Sequence, residues 1–239
     1  MGRLFLVRHA QASFLSQNYD QLSALGETQA RLLGEYWAQR KVAFDRVCSG
    51  PARRHRQTAR FVADAYRKAN LNFPAPVFAE EFDEFQGEAV LEQSLPQLLA
   101  NNDKIRELHT ALQTSVNEAE KRAKFERLFE AVITKWVNGE VALPNVESWQ
   151  EFCARVNRGL SSFLWSSRKG EVAAIFTSGG PVSVAIQRAL HLTAQDTLRV
   201  AWMSRNCSFG EFLFSGNRFT LSSFNSFPHL DGEALLTYR

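Results

Sequence analysis

Arg8 and His9 stand side by side directly behind the apolar run RLFLV, residues 3–7. A neutral imidazole can attack phosphorus, and a guanidinium is a planar fork that offers two parallel hydrogen bonds to phosphate oxygens. A second cationic cluster follows the next apolar run: SGPARRHRQTA, residues 49–59, puts Arg53 and Arg54 in the opening of a helical pattern. A helix N-terminus adds amide donors for an anion. A third run, EVAAIFTSGG at 171–180, ends in Ser178, Gly179 and Gly180, again a strand passing into a helix. Converging on one sheet edge, these groups would make a phosphate pocket in which the arginines stabilise the charge of a transferring phosphoryl group.

They converge only if the three runs are neighbouring strands. RLFLV, FDRVCSG (44–50) and EVAAIFTSGG are nearly continuous apolar runs. That pattern fits strands of a mostly parallel sheet covered by helices on both faces, and their alternation with helical patterns indicates an α/β fold. In open sheets of this kind ligands collect outside the carboxyl ends of the strands. The spacing predicts a helix over 22–40, with Leu25, Leu32, Leu33, Tyr36 and Trp37 on one stripe, and another over 51–69 with Pro51 as its first residue. From Leu95 to about Val137 the chain is charge-rich, with Phe125, Leu128, Phe129, Val132 and Trp136 at helical spacing. It reads as a helical cap inserted at about 88–146, whose side chains would choose the substrate. SWQE at 148–151 has capping-box spacing, and the helix it opens carries Trp149, Phe152, Val156, Leu160 and Phe163 inward until Gly170 stops it. The Phe- and Ser-rich last third suggests one or two more strands. The expectation is one domain over 1–239: a mostly parallel central sheet flanked by helices, with a helical insertion.

Composition narrows the function classes. With 239 residues, 45% hydrophobic and 22% charged, the chain can bury the core of a single α/β domain. Its net charge of +3 is spread among acids, so nucleic acid is not a favoured partner. Cys48, Cys153 and Cys207 are far apart and lack CxxC spacing, which suggests neither a disulfide framework nor zinc and fits a reducing cytoplasm. No apolar run approaches the ~18 residues of a membrane helix, and the N-terminus has no signal-type region, so a soluble, cytoplasmic protein is expected. No cluster has metal-ligand spacing, and phosphoryl transfer through an imidazole needs neither metal nor cofactor.

Taken in order, LFLVRHAQAS, YDQLSALGETQARLLGEY, VCSGPARRHRQTA, EEFDEF and IFTSGGP resemble the blocks of the histidine phosphatase superfamily, with its phosphoglycerate-mutase-like fold. The resemblance spans most of the chain and rests on the ordered set. It implies a phosphatase that hydrolyses a small phosphomonoester through a phosphohistidine on His9. Arg8, Arg54, Ser178 and Gly179 would bind the phosphate. The family's acid/base carboxylate follows the arginine block, where FAEEFDEFQGE offers Glu80, Glu81, Glu84 and Glu88. Glu81 is selected because in the family the acid commonly precedes a Phe-Asp or similar pair; it would protonate the leaving oxygen and then activate water.

Two residues depart from the family pattern. Ala10 replaces a common glycine, which is tolerable if the backbone there has φ below zero. Ser178 stands where the common pattern has a histidine completing the pocket. A hydroxyl still donates a hydrogen bond but carries no charge, so phosphate binding should weaken roughly tenfold and activity be reduced or redirected. Three competing readings follow. Phosphoglycerate-mutase-like phosphoryl transfer would want the family's asparagine shortly after the histidine, where Leu15 stands. A catalytically weakened phosphate-binding protein would exploit Ser178. A serine hydrolase would use Ser178, Asp196 and His229 in the α/β-hydrolase chain order, although Phe176 replaces the first glycine of its elbow. The remaining histidines read as structural: His55 exposed among arginines, His109 solvated, His191 terminating a helix and His229 in FPHL.

Overall fold

A computed structural model of the chain describes residues 1–13, 20–165 and 167–238. They form two compact units, one of residues 1–84 with 155–239 and the other of residues 85–154. The first unit holds the sheet. Strands β1 (Gly2–Arg8), β2 (Arg46–Ser49), β3 (Val77–Phe78) and β4 (Val172–Thr177) run parallel, while β5 (Phe209–Ser215) and β6 (Arg218–Ser226) add an antiparallel ribbon. Their order is β3-β2-β4-β1-β5-β6. The register pairs Arg8 with Thr177 and Ser49 with Phe176, so β1, β2 and β4 end level. Their three carboxyl ends therefore present Arg8-His9, Gly50 and Ser178 along one edge.

Leu4, Phe5, Leu6 and Val7 are all buried, as a strand covered on both faces requires. On one face lie helices α1 (Ala24–Gln39) and α2 (Arg53–Lys68). Helix α1 opens at Ser23, whose Oγ accepts from the Gly26 amide at 3.0 Å. Its buried stripe is Gly26, Ala30, Leu33, Gly34 and Trp37, with Leu25, Leu32 and Tyr36 only half-buried. The small residues bring α2 close, and Phe5 meets Trp37, Phe44 and Phe209 edge-on at 5.5–5.8 Å between ring centroids.

Pro51 lies before helix α2, which begins at Arg53. Its N-cap, Ala52, has no capping side chain, and Asp20 does the work from a distance: its carboxylate accepts from the Arg53 amide at 2.9 Å and the Arg54 amide at 3.4 Å. Pro51 thus shapes the turn into the cap instead of opening the helix.

The charge-rich segment is three helices, α3 (Gly87–Asn101), α4 (Asp103–Gln113) and α5 (Glu118–Val137), all in the second unit. Asn102 and Asn117 start α4 and α5, each accepting a backbone amide of the new helix at its side-chain oxygen, 3.0 and 2.9 Å. The capping box forms: the Ser148 amide donates to Glu151 at 2.7 Å and Glu151's amide donates to Ser148 Oγ at 3.2 Å. Helix α6 (Trp149–Trp165) follows, ending before Gly170, whose φ of +82° belongs to the turn into β4. Helices α7 (Gly179–Leu190) and α8 (Ala194–Met203) complete the first unit. None of the described helices is long and apolar enough to cross a membrane.

Gly34 tests the α1–α2 contact that seats the head of α2. A Cβ there would lie 2.7 Å from Ala65 Cβ and 2.8 Å from Val62 Cα. Gly34→Ala is expected to cost about 1–3 kcal/mol through overpacking, despite alanine's better helix propensity. Thermal unfolding should show the midpoint falling by several degrees; an unchanged or raised midpoint would mean the helices separate freely.

Candidate active site

His9 is fixed on both sides of its backbone. Its amide donates to the Thr177 carbonyl at 2.7 Å, and its carbonyl accepts from the Cys207 amide at 3.1 Å and Asn206 Nδ2 at 3.4 Å. The ring is fixed too: Nδ1 lies 2.8 Å from the Ala10 carbonyl. A carbonyl only accepts, so Nδ1 carries the proton and Nε2 keeps a lone pair. Burial, and then the positive charges of Arg54 and Arg8 and the neighbouring His55, hold the imidazole well below its usual range, so it is neutral at physiological pH.

The guanidinium of Arg8, on the same strand end, donates through Nη1 to the Ser204 carbonyl and passes beside Gly179, where a Cβ would lie 3.7 Å from Arg8 Nε. Arg54, in the first turn of α2, reaches across the strand ends. Its Nη1 pairs with Asp20 at 2.8 Å and its Nη2 donates to Ser178 Oγ at 3.4 Å. Thr58, one turn on, ties α2 to β1 by donating to the Arg54 carbonyl at 2.8 Å and accepting the Ala10 amide at 3.1 Å. Ala10 is buried and is not among the residues with positive φ, so alanine carries no backbone strain here.

Ser178 is the N-cap of α7, but its hydroxyl caps no amide. It lies 2.6 Å from Nε2 of His55. His55 is fully buried with its ring centroid 5.6 Å from that of His9, not exposed as its arginine-rich surroundings imply. Burial and the charges of Arg54 and Arg56 hold it well below the usual imidazole range. The amide that Ser178 leaves, on Gly180, donates instead to Glu84 Oε2 at 3.1 Å.

The carboxylate at the head of α7 is therefore that of Glu84. Glu81 sits elsewhere: its Cβ packs on Gly159 of α6, and it lines a hollow with Arg46, Cys48 and Phe163. Burial pushes the Cys48 thiol up to about 12, and the Glu81 charge adds to that rise. Glu81 lies within a single 3₁₀ turn at Glu80–Phe82 and Glu84 follows it, and the turn is held by its backbone. Arg155 Nη1 donates to the carbonyls of Glu80, Glu81 and Asp83 at 3.1 Å each, and Thr177 Oγ1 donates to that of Phe82 at 2.6 Å.

The other residues singled out in the sequence lie apart from this cluster. Asp196 is bonded to Thr193 at 2.7 Å and Arg199 at 2.8 Å on the surface of α8. His229 is buried against Tyr36 and Phe209, and burial lowers it to about 4. The imidazole beside Ser178 is thus His55, not His229. His191 ends α7 in the left-handed conformation, φ 56°, and His109 is half-buried on α4. Leu15 lies outside the described residues. Among the described residues no group of three or more His, Cys, Asp or Glu side chains is placed to hold a metal ion.

The family model described as histidine phosphatase superfamily (branch 1) matches residues 4–124 and 88–226. Among solved structures, the fold is shared with a putative alpha-ribazole-5′-P phosphatase from Escherichia coli, at 19% identity, TM-score 0.64, over 94% of this chain and 96% of that one. It is shared also with a phosphoserine phosphatase from Entamoeba histolytica in complex with 3-phosphoglyceric acid, at 17% identity, TM-score 0.63, over 96% and 99%. A phosphoglycerate mutase from Bacillus anthracis aligns at 15% identity, TM-score 0.60, over 95% and 94%. Comparison with curated protein sequences returned no match.

The buried imidazoles make stability depend on pH. His9, His55 and His229 have lowered values in the folded chain, whereas unfolded histidines titrate at about 6.5. Below that value the unfolded chain binds protons that the folded one refuses, so stability is complete above about pH 6.5 and falls as pH drops. Each such group costs up to about 1.4 kcal/mol per pH unit in that range. Thermal unfolding in phosphate-free buffer should show a midpoint falling from about pH 7 to about pH 5, and His229→Leu should flatten the slope. A flat profile for the parent chain would mean that the folded protein charges these rings.

Proposed function

The chain belongs to the histidine phosphatase superfamily, and on that footing we propose that it hydrolyses a small phosphomonoester through a phosphohistidine on His9. The observation that carries this reading is the hydrogen bond from His9 Nδ1 to the Ala10 carbonyl, which leaves Nε2 as a neutral nucleophile in a pocket shared with Arg8 and Arg54. The Nε2 lone pair attacks phosphorus as the bond to the leaving oxygen breaks. Both guanidiniums stabilise the charge on the transferring group. Arg54 must for this purpose share its fork between Asp20 and the phosphate.

Glu84 is proposed as the acid in place of Glu81, because its carboxyl meets the Gly180 amide beside Ser178. Its proton goes to the leaving oxygen. In the second half, the carboxylate takes a proton from water as the water oxygen attacks phosphorus, releasing inorganic phosphate and freeing Nε2. Gly179 opens α7 beside the Arg8 guanidinium, so its backbone is the part of it proposed to meet the phosphate. The three free cysteines, two of them buried, support a reducing, cytoplasmic setting.

Rapid quenching with a labelled phosphate ester should trap acid-labile, base-stable phosphate on the protein, and His9→Ala should abolish both adduct and turnover. An adduct surviving in His9→Ala would identify another nucleophile. Glu84→Gln should lower turnover of alkyl phosphates by about 10²–10⁴-fold, and that of nitrophenyl phosphate, whose leaving group departs without protonation, much less. The loss should exceed that from Glu81→Gln; the reverse order would return the acid's role to Glu81.

A further inference from the structure

Ser178 Oγ can accept two hydrogen bonds and donate one. Arg54 Nη2 donates to it, which uses one lone pair. The direction of the shorter bond, 2.6 Å to His55 Nε2, then decides where the hydroxyl proton points. The far side of the imidazole settles that direction. Among the described residues His55 Nδ1 has no hydrogen-bond partner, and it faces Gly50, where an ideal Cβ would lie only 2.5 Å away. A proton on Nδ1 would be a buried donor with nothing to receive it, which is costlier and rarer than a bare lone pair. The proton therefore sits on Nε2 and is given to Ser178. With both lone pairs occupied, the serine keeps only its own proton to offer.

We propose that His55 is a positioning residue for the phosphate: it donates Nε2–H to Ser178 Oγ and so turns the serine hydroxyl into a fixed donor toward the phosphate held by Arg8 and Arg54. The proposal rests on the phosphatase reading above. In effect an imidazole on α2 reaches the phosphate through the hydroxyl at the head of α7. Its ring remains neutral because of burial and then the charges of Arg54 and Arg56, so it contributes orientation and no charge. Gly50 belongs to the same device, because only a residue without Cβ leaves room for the ring between the end of β2 and Ser178. No proton leaves His55 during turnover. Were the polarity reversed, with the serine donating to Nε2, the pair would be a nucleophile and base, and the hydroxyl proton would be lost to the phosphate.

A double-mutant cycle on the purified full chain tests this, read as vanadate affinity and as kcat/KM on nitrophenyl phosphate. His55→Ala in the parent should weaken both on the order of tenfold. In the Ser178→Ala background the same change should cost less than about twofold, since the hydroxyl through which His55 acts is gone. His55→Gln, whose amide nitrogen overlays Nε2, should recover most of the loss; His55→Asn, whose amide overlays Nδ1, should not. This pair decides the matter even if His55→Ala fails to fold. Ring ¹⁵N spectra should show the Nε2–H tautomer for His55. Equal costs of His55→Ala in both backgrounds, equal behaviour of Gln and Asn, or the Nδ1–H tautomer would overturn the proposal, as would His55-dependent labelling of Ser178 by a fluorophosphonate. If the parent forms phospho-His9 and binds vanadate while the cycle is additive, only the role of His55 falls. If the parent does neither, the phosphatase reading falls and takes this proposal with it.

Discussion

One electrostatic constraint governs the head of the sheet: two guanidiniums and two imidazoles are crowded at one edge, and positive charge on all four would repel. Guanidiniums do not give up their charge, so the repulsion falls on the imidazoles. Burial acts in the same direction, and both rings are held below their usual range. The crowding that would destabilise a charged histidine thus keeps an uncharged one in place, the state the proposed attack on phosphorus needs. The arginines have partners within the chain. Arg8 donates to a backbone carbonyl, and Arg54 meets a carboxylate that also caps its helix.

The strands make this crowding possible. Because β1, β2 and β4 are parallel and end level, three separate sequence segments deliver their polar residues to one edge, and each continues from a core that fixes its direction. Helices α2 and α7 then start at that edge. One brings Arg54 and His55 together in its first turn, and the other brings the serine and the glycine amides. Thr58 binds α2 to the backbone just past His9, so His9 and Arg54 are tied through one hydroxyl.

Much of this arrangement could be read before folding was considered. Strands buried on both faces announce themselves as continuous apolar runs, and the capping box at Ser148 and Glu151 sits where its spacing indicates. The misreadings share a cause: each depended on a partner distant in sequence. Pro51 looks like a helix opener until Asp20 supplies the cap from another loop. His55 looks solvated because its neighbours are arginines, and only the bare Cα of Gly50 and the hydroxyl of Ser178 make room for it inside. A glycine at the end of a buried strand, followed five residues later by a histidine, was the available signal.

Arg155 grips the turn before Glu84 by the turn's main chain. A guanidinium that holds three main-chain carbonyls is indifferent to the side chains mounted on them. The loop's shape is therefore held through its main chain by Arg155, while the buried Phe82 commits the turn to the core. Glu80 and Glu81 can therefore sit beside Glu84 without displacing the carboxylate that meets the Gly180 amide. Which acid reaches α7 is thus set by how the main chain is held, and three positions along it separate a carboxylate at the α7 amides from one lining a hollow against α6.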